Sequence, residues 1–171
     1  MGQALQRQSL WTNSAMKKLT AILLLATAFS CPGLAYARDA TLAIQMTNYQ
    51  GPPAYLAVYL AKPDGSYDST LWVAGGRSDY YRHLRGWIRG VSGTSERIDA
   101  ITGASVGSGQ TMQVGITIAD ALIDAGYTIH VDSAVEHGAE NRDDVVLPLD
   151  QSSSGKVVSG SGYVAALKVT F

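Results

Sequence analysis

The stretch Asp99–Gly109, DAITGASVGSG, contains the residue types that most directly indicate chemistry. It is rich in small residues and hydroxyls, and it begins with a single acid. The small residues Gly103 and Ala104 directly precede the hydroxyl of Ser105. Two further glycines allow the chain to bend away after that hydroxyl. The stretch is therefore either a modification site or an ordinary polar connection between two strands.

A second feature is the concentration of arginine just upstream. Five arginines fall within 21 residues of an otherwise acidic domain: Arg77, Arg82, Arg85, Arg89 and Arg97. Guanidinium groups bind phosphate and carboxylate through paired hydrogen bonds, so the cluster is a candidate anion site. The alternative is a solvated helix face whose arginines pair with neighbouring carboxylates. The nearby aromatic residues supply either a flat apolar wall or, as we favour, core packing: Trp72, Trp87 and Tyr80.

Histidines and acids elsewhere give weaker signals. The three histidines stand in unlike contexts, and residues 38–171 contain no cysteine, so nucleophilic catalysis is not indicated. A metal site can be drawn from His130, Asp132, Glu136 and His137. On an unbroken strand, however, the first three share one face and His137 points the other way. We interpret the set as the polar, solvated outer face of a sheet.

The N-terminal residues have the pattern of a secretory signal peptide. Met16-Lys17-Lys18 is a positive start, LTAILLLATAF is an apolar run, and Ala35-Tyr36-Ala37 is a small-x-small cleavage motif. We predict a signal peptide over 1–37, including an upstream extension over 1–15, and a periplasmic product cleaved after Ala37. The apolar run is too short for a transmembrane helix, so the product is not expected to span a membrane.

The remaining residues, 38–171, are enough for a single domain. The only cysteine, Cys31, leaves with the signal peptide, so no disulfide and no thiol remains. Residues 38–171 carry ten Lys and Arg against fourteen Asp and Glu, a formal net charge of −4. Because nucleic-acid binding generally needs a basic face, this acidity argues against a nucleic-acid partner.

Strand patterns dominate the domain and must position these residues. Apolar and polar residues alternate with period two in TLAIQMTNY, TMQVGITI and GYTIHVDSAVEH. KPDGSY predicts a hairpin turn, and DDVVLPL predicts an edge strand because Pro148 cannot donate to a ladder. Six or seven strands at short spacing predict a mainly β, immunoglobulin-like antiparallel β-sandwich.

One segment, SDYYRHLRGWIRG, has helical instead of strand periodicity. An apolar stripe at helical spacing runs through it: Tyr80, Leu84, Trp87 and Ile88. Ser78 is a suitable N-cap and Gly90 a suitable end. We predict one short helix laid across the sandwich, just before Asp99.

The segment DAITGAS has the form D-x-x-[S/T]-G-A-[S/T]. This form resembles the attachment signal of periplasmic proteins that carry flavin mononucleotide (FMN) through a phosphoester bond, such as the FMN-binding subunits of sodium-pumping and Rnf-type quinone reductases. The resemblance implies that Ser105 is the acceptor hydroxyl and that Asp99 is the acid recognised by an FAD:protein FMN transferase. The resemblance also implies that Thr102, Gly103 and Ala104 form the tight segment through which the transferase approaches the Ser105 hydroxyl.

The same resemblance gives the arginines a role. Arg82, Arg85 and Arg89 are expected to stabilise the phosphate diester, and an aromatic side chain is expected to stack on the flavin ring. The chain departs from the pattern at two positions. The usual acceptor is threonine, where this chain has serine, and Gly107 stands where many such sites have a second hydroxyl.

The order of segments over the whole domain resembles a bacterial family of predicted periplasmic proteins, the domain of unknown function 2271 (DUF2271). The matching segments run from YLAVYLAKPDGS through YYRHLRGWIRG and IDAITGAS to DAGYTIHVDSAVEHG and the final strand. The family is placed alongside PepSY-type membrane proteins and the flavin transferase. This implies a periplasmic FMN carrier that exchanges electrons with a membrane redox protein, and not a stand-alone enzyme. The alternative is a cofactor-free immunoglobulin-like module that binds a protein or a small ligand.

Overall fold

The computed structural model describes residues 36–171, which form two β-sheets packed face to face. The predicted signal peptide lies almost wholly outside the described residues, and its cleavage site stays a prediction. Nine strands form the sheets: β1 Ala37–Met46, β2 Tyr55–Ala61, β3 Tyr67–Ala74, β4 Thr102–Gly103, β5 Thr111–Ala119, β6 Thr128–Ala134, β7 Glu140–Pro148, β8 Val157–Val158 and β9 Val164–Thr170.

The first sheet has four antiparallel strands in the order β5-β1-β9-β8. Alternation along β1 directs Leu42, Ile44 and Met46 into the space between the sheets, where each is at most 2% exposed. Burying each of these side chains stabilises the fold by roughly 1.5–3 kcal/mol. The period-two pattern of the sequence therefore identifies the inner face of this sheet correctly.

The second sheet has five strands in the order β4-β3-β2-β6-β7. Neighbours are antiparallel except for β3 and β4, which run parallel. Its central strand β2 is buried along its whole length. Leu56, Val58 and Leu60 belong to the core between the sheets, whereas Tyr55 and Tyr59 belong to a second apolar cluster. Burial of both faces requires a further layer over this sheet.

Residues 78–91 supply that layer. A 3-10 helix at Ser78–His83 leads into α1, an α-helix at Arg85–Val91. The single helix predicted from the apolar stripe is thus split, because Leu84 has non-helical backbone angles and is fully buried between the two segments. Trp87 is also buried and belongs to the second apolar cluster.

The start of α1 is held by a carboxylate from another strand. Asp132 of β6 is fully buried, and its Oδ2 accepts hydrogen bonds from the backbone N–H groups of Gly86 at 2.6 Å and Trp87 at 2.9 Å. Its Oδ1 accepts from the backbone N–H of Asp143 at 3.0 Å and from the Tyr59 hydroxyl at 3.4 Å. The first N–H groups of a helix have no partner within the helix, so Asp132 satisfies donors that would otherwise be buried unpaired.

A second buried acid connects the two sheets. Asp144 of β7 accepts a hydrogen bond from the Ser133 hydroxyl at 2.5 Å. It also accepts from the backbone N–H groups of Ser161 at 2.9 Å, Gly162 at 2.6 Å and Val164 at 3.0 Å. These donors lie where the chain enters β9 of the other sheet. Since hydrogen bonds are directional, they fix this entry relative to β7.

The mainly β sandwich predicted from the sequence is confirmed. The turn in KPDGSY is present with Gly65 at a φ of 81°, and β7, which contains Pro148, is an edge strand. The sequence patterns do not predict β4 and β8, which have two residues each, nor the parallel β3–β4 pair. None of the helices within residues 36–171 is long and apolar enough to cross a membrane.

Replacing Asp132 with alanine is expected to lower the free energy of unfolding by about 3 kcal/mol, because several buried N–H donors lose their acceptor at once. Urea unfolding followed by circular dichroism measures the change. Asp79→Ala, at an exposed acid of the same helical layer, is the control and should change the value by less than about 0.5 kcal/mol. A loss below about 1 kcal/mol in Asp132→Ala would contradict the proposed support of α1.

Candidate functional site

Ser105 lies in a short span of chain that is fixed on both sides. Before it, β4 pairs with the edge of β3, and the carbonyl of Gly103 accepts a hydrogen bond from Gly75 N–H at 2.8 Å. After it, Val106 and Ala54 exchange two backbone hydrogen bonds of 2.9 and 2.7 Å. Ala104 and Ser105 therefore form a two-residue connection between these two paired positions, along one edge of the five-stranded sheet.

The residues of this segment differ in exposure. Asp99 and Ala104 are exposed, whereas Thr102, Gly103 and Ser105 are half-buried. The Thr102 hydroxyl donates to the carbonyl of Asp99 at 3.3 Å. Within residues 36–171, the Ser105 hydroxyl has no hydrogen-bond partner.

Gly103 is small for a reason that the sequence does not show. A Cβ atom at this position would lie 2.7 Å from Cζ2 of the Trp72 indole, which is too close for any side chain. The adjacent Trp72 Nε1 is buried and has no hydrogen-bond partner among the described residues. Close packing on Trp72 therefore accounts for Gly103, independently of any need for access to Ser105.

A tyrosine pair lies beside the same segment. The Tyr49 hydroxyl donates to the carbonyl of Val106 at 3.1 Å, and Tyr49 N–H donates to the Ser108 hydroxyl at 2.8 Å. Burial raises the pKa of Tyr49, so its phenol stays protonated as a donor. Its ring packs edge-on against Tyr163 at 4.8 Å between centroids. Sequence reasoning missed this contact because Tyr49 precedes its partners Val106 and Ser108 by more than fifty residues.

Three of the five arginines lie in a groove that is separate from the Ser105 segment. Arg82, Arg85 and Arg89 line a groove of about 440 Å³, together with His83, Ile88 and Glu140. Arg85 hydrogen-bonds to Glu140 at the start of β7, whereas Ser105 follows β4 at the opposite edge of the same sheet. Four strand spacings of about 4.8 Å separate these edges, roughly 19 Å. The structure therefore does not bring the three arginines to Ser105.

Glu140 is the only acid that lines this groove among the described residues. Its carboxylate bonds to His83 Nδ1 at 2.6 Å and to Arg85 Nε. These hydrogen bonds, that of His83 first, lower the pKa of Glu140. Arg82 Nε donates to His83 Nε2 at 3.3 Å. Within residues 36–171, Arg82 and Arg89 form no ion pair with a carboxylate.

The residues considered for a metal site are not arranged for one. Among residues 36–171, no three His, Asp or Glu side chains are placed to hold an ion. Glu136 accepts from the Tyr55 hydroxyl at 2.9 Å, and Asp132 is fully buried. The interpretation of a solvated sheet face is wrong at Asp132, because α1 covers it.

A hydrogen-bonded row crosses from β6 to β7. The Thr128 hydroxyl contacts His130 Nε2 at 2.9 Å, and His130 Nδ1 contacts Asp143 Oδ1 at 2.7 Å. The ring of Tyr59 stacks on His130 at 5.3 Å. Asp143 reaches His130 from an irregular part of β7, where its φ is 51°. Such an irregularity leaves no sequence signal, so this row was also missed.

A family model described as "Predicted periplasmic protein (DUF2271)" matches residues 37–166, from the first residue of β1 into β9. The chain belongs to this family. The predicted membership in DUF2271 is confirmed, and the family description agrees with a periplasmic location. No curated protein and no solved structure matches the chain.

The lowered pKa of Glu140 predicts a pH-dependent stability of this DUF2271 chain. A carboxylate whose pKa is lowered by folding stabilises the fold above its ordinary pKa and loses that effect as the pH falls through the folded value. The difference in unfolding free energy between the wild type and Glu140→Gln should therefore be present near neutral pH, at less than about 1 kcal/mol. It should shrink as the pH falls below the ordinary Glu value of 4.5.

Urea unfolding at a series of pH values measures this difference. In a His83→Gln background the pH dependence should become flatter, because the first cause of the lowered pKa is removed. A difference that grows on acidification would contradict the assignment.

Proposed function

We propose that this protein is a periplasmic flavin carrier in which FMN is joined by a phosphoester bond to Ser105. The observation that carries the proposal is the state of Ser105 within the DAITGAS motif. Ser105 is half-buried beside a sheet edge, and its hydroxyl has no hydrogen-bond partner among the described residues. The flanking backbone is already paired through Gly103 and Val106, so attachment needs no unfolding of the edge.

The attachment reaction is a transfer of FMN from FAD. The Ser105 oxygen bonds to the phosphorus of the FMN half, the bond from that phosphorus to the AMP half breaks, and AMP leaves. The hydroxyl proton passes to a base of the FAD:protein FMN transferase. The exposed carboxylate of Asp99 is the recognition element for the transferase.

The attached group gives the protein its electron-carrying chemistry, and a PepSY-type or other membrane redox protein is the partner that exchanges electrons with it. Of this chain's own residues, Ser105 supplies the covalent bond. Tyr49 lies beside the same segment, because its hydroxyl donates to the carbonyl of Val106. The groove of Arg82, Arg85 and Arg89 is not part of the flavin site in this proposal, because it lies at the opposite sheet edge.

Intact-mass spectrometry tests the attachment. The protein is exported together with a flavin transferase, and the mass should rise by one FMN less one water. Ser105→Ala should lose this increase, whereas Ser105→Thr should keep it because threonine also has a hydroxyl. Ser108→Ala, at an exposed serine three residues further on, is the matched control and should keep it. An unmodified wild type, under conditions that modify a known substrate, would overturn the proposal.

A second candidate function rests on the arginine groove. We propose as the alternative a binding module that takes a small anion between Arg82 and Arg89, whose guanidinium groups have no carboxylate partner among the described residues. Forked hydrogen bonds from two arginines match the oxygens of a phosphate or a carboxylate. The groove concentrates positive charge on a domain that is acidic elsewhere.

Inorganic phosphate is the probe for this candidate. Titration at constant ionic strength, followed by amide chemical shifts, should give a Kd on the order of 1 mM for an open site of this kind. Arg89→Gln should weaken binding at least about fivefold, which corresponds to about 1 kcal/mol. Arg97→Gln, at an exposed arginine outside the groove, should leave it unchanged. Equal weakening by both variants would indicate a general charge effect and reject the site.

A further inference from the structure

The two sheets have four edges, and three of them are protected against pairing with another chain. β4 and β8 have only two residues each. β7 contains four charged residues and ends at Pro148. Short strands, charges and proline are the usual means by which proteins prevent edge-to-edge association.

The fourth edge, β5, has none of these features. Its nine residues, TMQVGITIA, include no charge and no proline. Within residues 36–171, β5 pairs only with β1, and no other backbone hydrogen bond involves Thr111–Ala119. The outward N–H and C=O groups of a nine-residue strand are therefore available for pairing. A full-length row of this kind is a template for an added strand.

We propose that β5 pairs antiparallel with β5 of a second copy of this chain, about a twofold axis at Gly115. The two four-stranded sheets then become one sheet of eight strands. A twofold interface uses the same surface on both partners, so the strand must be complementary to itself. The absence of charge meets this requirement, because no like charges oppose each other.

The register about Gly115 also matches the two faces of the strand. Met112 lies opposite Ile118 and Val114 opposite Ile116, which places apolar residues together on the core side. Met112 and Val114 are only partly buried in one copy and gain cover from the second. On the outer face Gln113 and Thr117 face each other. Cross-strand pairs of matched character each contribute roughly 0.2–1 kcal/mol.

Gly115 itself is a second observation in favour of this pairing. A Cβ atom at Gly115 would meet nothing within 4 Å, and its φ lies outside the region that favours glycine. Nothing within the described protomer therefore requires glycine there. Glycine weakens a strand interior and often marks a place where another backbone approaches closely.

Sedimentation velocity over a range of protein concentrations tests the proposal. The wild type should form a dimer with a Kd in the micromolar range, because pairing along one edge buries little surface. Gly115→Lys places two ammonium groups opposite each other at the axis and should raise the Kd at least about tenfold. Val157→Lys adds the same charge at an exposed residue on the opposite edge of the same sheet, and should leave the Kd unchanged.

A charge swap tests the register directly. Gly115→Lys and Gly115→Glu chains, each monomeric alone, should form a heterodimer when mixed. If the Gly115 variants do not fold, hydrogen exchange of the wild-type protein tests the proposal instead. Exchange of the β5 amides should slow as the protein concentration rises. A wild type that stays monomeric, a dimer that tolerates Gly115→Lys, or exchange independent of concentration would each overturn it. If exchange of the β5 amides slows only when a different protein is added, the edge pairs with that protein, and this result would also overturn the proposal.

Discussion

The buried carboxylate of Asp132 is the interaction on which the outer layer of this fold depends. A single acid from β6 accepts from two backbone N–H groups of α1 and one of β7, so three elements meet at one side chain. Without these hydrogen bonds the seven-residue α1 is not expected to form, because isolated helices of that length are not stable in water. The tyrosines of β2 would then face solvent, and the arginine groove would lose the helix that carries two of its arginines.

The same arrangement explains why the two candidate chemistries are separate. Arginines that are close to Ser105 in sequence lie over the five-stranded sheet, because Asp132 of β6 holds the start of α1. The first residue of α1, Arg85, hydrogen-bonds to Glu140 of β7. The chain then returns to the far edge of that sheet to form β4 and the DAITGAS segment. Sequence proximity therefore suggests a joint site, whereas the sheet order places the two features at opposite edges.

Local patterns predicted much of the fold. Alternation identified the inner residues of β1 and β5, and the turn at Gly65 followed from its composition. Contacts over long sequence separations were not predictable in the same way. Asp132 has the sequence context of a solvated strand residue, and only the three-dimensional position of α1 makes it a buried acceptor. Glu140 and Tyr49 likewise acquire their partners from segments more than fifty residues away.

The connection into β9 shows that composition and rigidity are different properties. Its letters, SGSG, are those of a flexible spacer. Yet the carboxylate of Asp144 accepts from two N–H groups of this stretch, and Cβ atoms at Gly160 and Gly162 would collide with neighbouring atoms at 2.3 Å. Glycine is needed at both positions because the chain packs too closely on its neighbours between the two sheets to leave room for a side chain. Side-chain volume, more than polarity, therefore limits which residues this stretch can accept.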